Sequence, residues 1–157
     1  MENFEQAVKN INEKIYTLDQ ANKILEQLET AEKLVFQKAT NVALEKSLSS
    51  LKELVELPSK VNKDQRPEDL AKYLHEIRDY LRGLTVCKLT VAFEASPTFL
   101  KKVANFIETA AKKKVLLDVS ENEKIIAGAV LEISGEYRDY SIATTLDKAI
   151  LSGDVRI

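Results

Sequence analysis

The first glycine in this chain is Gly83, and no proline precedes Pro58. So long a stretch without either breaker, rich in Glu, Lys, Leu, Gln and Ala, has few places to turn. Its side chains also lose little rotamer freedom in a helix. Apolar residues recur at Phe4, Val8, Ile11, Ile15 and Leu18, one face of a helix. Thr17-x-x-Gln20 has the form of a capping box opening a second helix, which carries Ile24, Leu28, Ala31 and Val35 in register. A third series, Leu44, Leu48, Leu51 and Val55, follows a weak break at Ala39-Thr40-Asn41, so one helix over about 19–57 is the alternative. LPSKVNKDQRP at 57–67 reads as a loop. Pro67 suits the first turn of a further helix, with Leu70, Leu74, Ile77 and Leu81 on its buried face and Gly83 as its C-cap. The first half is expected to be a small antiparallel helical bundle or a pair of helical hairpins.

From Leu84 the period shortens to two. Across TVCKLTVAFEA (85–95), Cys87, Leu89, Val91 and Phe93 share one strand face, with Lys88, Thr90 and Glu94 on the other. Ser96-Pro97 opens a helix as N-cap and N1, and Phe99, Val103, Phe106, Ile107 and Ala110 are its expected buried stripe. Lys112–Lys114 stand at its C-terminus, where solvated cations favour the helix dipole. KVLLDV (114–119) is a second strand. Ser120-x-x-Glu123 looks like another capping box, with Glu121 and Glu123 as helix-start charges. AVLEI and YRDYS form a hairpin about Ser134-Gly135-Glu136, and Ile142–Leu151 is a closing helix. The sequence thus predicts an α+β protein: a helical domain over 1–83, then a small β-α-β-β-β-α domain over 84–157.

The formal net charge is −2, and neither half is basic, which argues against nucleic acid as a partner. The lone Cys87 can form no internal disulfide, and the acidic, amphipathic N-terminus is unlike a secretory signal. The longest uncharged apolar run, IIAGAVL, is far shorter than a bilayer span, so membrane association is expected only through a partner.

Chemistry-bearing constellations are sparse. Cys87 shares its face with Leu89 and Val91, so burial as a small hydrophobe outweighs a role as nucleophile. His75 is the only histidine and has no cysteine nearby to complete a zinc site; it reads as a surface or boundary residue. The isolated glycines form no phosphate-binding loop. No catalytic, cofactor-binding or metal-ligating residues are expected.

The most informative spacing is in IIAGAVLEISGEYRDYS (125–141). Ile126 and Gly128 are followed by Asp139 and Ser141, and then by Leu146. Gly128 at a strand entry permits a bulge, a positive φ or close backbone approach, and Ser141 with Asp139 can cap the helix that follows. This pattern, with the strand–helix–strand segment before it, resembles the C-terminal region of the delta (OSCP) subunits of F-type ATP synthases over about residues 84–151. Tyr140 stands where that family usually has glycine, and residues 1–82 are shorter than its six-helix N-terminal domain.

The resemblance implies a non-catalytic peripheral-stalk subunit on the cytoplasmic face of a membrane. Its N-terminal helices would hold the alpha subunits of the catalytic head, and its C-terminal domain the b-type stalk chain. The alternative from another class is a free-standing helical adaptor that binds an unrelated partner.

Overall fold

The structure is a computed structural model and describes residues 2–36, 46, 49, 51, 67–125, 128–133 and 135–139. It is an α+β protein. The chain divides into two compact units, Met1–Leu84 and Thr85–Ile157.

In the first unit α1 spans Glu2–Lys14, α2 Leu18–Phe36 and α3 Pro67–Arg82. The predicted faces are the buried ones. Ile11 and Ile15 of the first series, Ile24, Leu28, Ala31 and Val35 of α2, and Leu70, Leu74, Ile77 and Leu81 of α3 are all in the core. Ala7 and Ala21 join them, and Phe4 meets Tyr80 edge-on with centroids 6.4 Å apart. α3 packs against both α2 and α1.

The turn between α1 and α2 is set by the capping box. Gln20 Oε1 accepts from the Tyr16 and Thr17 N–H groups at 3.1 and 3.2 Å, and Thr17 Oγ1 accepts from the Gln20 N–H at 3.3 Å. Pro67 opens α3 as expected, because its missing N–H falls where a helix has no internal partner for it. Gly83 directly follows the last residue of α3, in the C-cap position expected; its N–H donates to the Asp79 carbonyl at 3.0 Å, and it closes the helix without taking the left-handed conformation. The break at 39–41, most of the third apolar series and the loop before Pro67 lie outside the described residues, although Leu51 is fully buried.

Polar ties reinforce the packing of α3. Arg78 binds Glu32 of α2 at 2.5 Å with both side chains largely buried. Arg82 reaches Glu29 at 2.8 Å, and the Tyr80 hydroxyl donates to Asn12 of α1 at 2.7 Å.

The second unit is one four-stranded sheet in the order β2-β1-β3-β4, with β1 Thr85–Val91, β2 Val115–Glu121, β3 Ala129–Ile133 and β4 Glu136–Asp139. β1 is parallel to β2 and antiparallel to β3, which pairs antiparallel with β4. The parallel pair requires a crossover, supplied by α4, Pro97–Ala111. The Ser96 side chain caps α4 by accepting from the Phe99 N–H at 3.3 Å, with Pro97 in the first turn, as the sequence indicated. Cys87, Leu89, Val91, Val115 and Leu117 form the core beneath it with Ala104 and Ile107.

Three sequence expectations are corrected here. β1 stops at Val91, so Phe93 is not on its buried face; it is 48% exposed and packs edge-on against Phe99 at 5.3 Å. Ser120-x-x-Glu123 forms no capping box; the short turn expected before Ala127 starts instead at Asn122, whose carbonyl accepts from the Ile125 N–H at 3.0 Å. Ser120 lies in β2 with its hydroxyl 3.1 Å from that of Thr90, Glu121 ends the strand, and Glu123 is in an exposed turn. That turn is held by Asn122, whose N–H donates to Val91 and whose Oδ1 accepts from the Lys124 N–H. Finally, Lys114 is not simply solvated: only 11% exposed, it binds Glu108 at 2.8 Å, while Lys112 closes α4 in the left-handed region at φ 53.

Two predictions follow from these packing details. Removing one partner of a largely buried ion pair strands the other, so Arg78→Met should cost about 3–5 kcal/mol. The Glu32→Leu/Arg78→Met pair should recover most of that loss in urea unfolding. Left-handed lysine carries a steric penalty that glycine avoids, so Lys112→Gly should raise stability by about 1 kcal/mol, read as a higher thermal midpoint.

Candidate binding surfaces

The glycines of the motif shape the β3–β4 hairpin. Gly128 enters β3 at φ 102, a conformation that a side chain would strain. Ile133 pairs with Glu136, and Gly135, immediately before β4, takes φ 84. Asp139 ends β4 opposite Val130. The structure thus places Gly128 and Asp139 at neighbouring ends of the same hairpin. Ile126, Ser141, Leu146 and the predicted closing helix lie outside the described residues.

Strand register assigns the rest of the sheet to two faces. Cys87, Leu117, Leu131, Ile133 and Arg138 fall on the face that α4 partly covers. On the other are Lys88, Thr90, Asp118, Ser120, Glu132 and Tyr137, which line a shallow recess of about 100 Å3. Their polar groups largely serve one another: Lys88 meets Glu132 at 3.5 Å and Thr90 meets Ser120.

The more substantial concavity is on the α4 side. α4 packs against β2, and beside it is a groove of about 400 Å3 whose walls include Phe106, Ala110 and Ala111 of α4 and Leu131 and Ile133 of β3. Glu136 and Arg138 of β4 form its outer rim. The predicted buried stripe of α4 is turned accordingly. Ala104 and Ile107 face the core, Phe99 and Val103 are half-buried, Ala110 is exposed and Phe106 is 69% exposed. Sequence periodicity gave no sign of this, because Phe106 and Ile107 are adjacent and only the helix's rotation decides which of them goes inward.

Neither surface assembles a reaction centre. Among the described residues, no group of three or more His, Cys, Asp or Glu could hold a metal ion. His75 is half-exposed on α3, with Arg78 donating to its Nδ1 and Asp79 3.2 Å from its Nε2. Cys87 is fully buried, and desolvation pushes its thiol pKa above the ordinary 9.0 against the smaller opposing effect of a backbone hydrogen bond from Glu132. The thiolate is thereby disfavoured, the reverse of what a nucleophilic cysteine requires.

Comparison with known families gives the rest. Residues 1–150 match the ATP synthase delta (OSCP) subunit family, and the chain belongs to that family. The match begins at residue 1, so it includes the helical half, for which the sequence offered helical character but no motif. The family is a peripheral part of the membrane-bound ATP synthase. No individual curated protein matches the chain. No helix among the described residues is long and apolar enough to cross a membrane.

The Cys87 environment gives a pH prediction. A thiol whose pKa is raised on folding stays protonated in the native state while the unfolded chain ionises, so the native state holds more protons above the ordinary value. Its contribution is complete below about pH 9 and is lost as pH rises beyond that. Comparing urea midpoints of the wild type with Cys87→Ala between pH 7.5 and 10 should show a steeper alkaline loss for the wild type.

Proposed function

We propose that this chain is a non-catalytic stator subunit of an F-type ATP synthase, linking the catalytic head to the b-type stalk and resisting rotor torque. The observation that carries this reading is the family match across residues 1–150. In this reading the helical domain, 1–83, is an antiparallel bundle that binds the N-terminal segments of the head's alpha subunits. The β-α-β-β-β-α domain, 84–157, holds the far end of the stalk. Ile126, Gly128, Asp139, Ser141 and Leu146 serve the fold of that domain rather than a reaction.

The mechanism is mechanical. A head free to turn with the rotor would take up no torque, and rotation would do no work on its nucleotide sites. A subunit that ties the head to a fixed stalk opposes this through many modest contacts spread over two surfaces. Such a subunit stays peripheral, on the cytoplasmic face of the membrane, through its neighbours alone. The helical half makes a reduced or altered contact with alpha.

The test is a pull-down of the tagged full chain from gently solubilised native membranes. Alpha, beta and b-type subunits are expected to co-purify in stoichiometric amounts. Recovery of unrelated proteins only would overturn the stator role and leave a binding module with the family's fold. Deleting α1 should weaken head recovery while sparing the stalk chain, and undiminished head recovery would refute the alpha contact.

A further inference from the structure

We draw no further inference here: the strongest candidate, the aromatic patch of Phe93 and Phe99 where β1 gives way to α4, carries nothing because nothing in the structure shows what covers it.

Discussion

The second unit depends on the burial and double pairing of β1. Cys87, Leu89 and Val91 are each sealed from solvent, and every residue from Cys87 to Val91 is aligned with both β2 and β3. A parallel neighbour on one side demands the α4 crossover; an antiparallel neighbour on the other permits the tight β3–β4 hairpin. Among the described residues α4 packs on the parallel side, against β2, and the groove opens between it and β3 and β4. The same burial explains why the lone cysteine is inert, for its apolar surroundings stabilise the protonated thiol.

In the first unit the equivalent role belongs to α3. Leu74 and Ile77 fill the core between α1 and α2, and the polar edge of the same helix carries Arg78, Tyr80 and Arg82 to partners on both neighbours. Hydrophobic burial supplies most of the stabilisation in such packing, but it is non-directional. The largely buried Glu32–Arg78 pair adds direction, since a slip of α3 by one turn would separate the two charges within a poorly solvated layer.

The sequence disclosed these two units to different degrees. Helix faces in the first were legible because 3.6-residue periodicity is strong over long, breaker-free segments, and Pro67, Thr17-Gln20 and Ser96-Pro97 marked helix starts through local hydrogen-bonding needs. Errors arose where a local signal had a competing tertiary use. Ser120 and Glu123 have capping-box spacing, yet pairing along β1 extends β2 through Glu121 and leaves Asn122 to make the turn. Lys114 looked like a solvated helix-end cation, but Glu108 draws it down. Phe106 looked like core, and the choice between it and Ile107 rested on a rotation of α4 that no spacing encodes. The groove thus escaped the sequence, while the glycines at its hairpin did not. Membership of the family was legible from the C-terminal half alone; the match shows that it extends to the helical half as well.

The doubly paired β1 also sets how this unit would respond to force. Force applied along a central strand acts in shear on its hydrogen bonds to both neighbours, so the bonds share the load and must fail together. Force that peels an edge strand such as the four-residue β4 breaks its bonds one after another. With the chain entering Thr85 only two residues after α3 ends, tension carried by the backbone arrives at the strand best able to distribute it. Among the described strands, β4 is the one most easily peeled away, because it is the shortest and lies at the sheet edge.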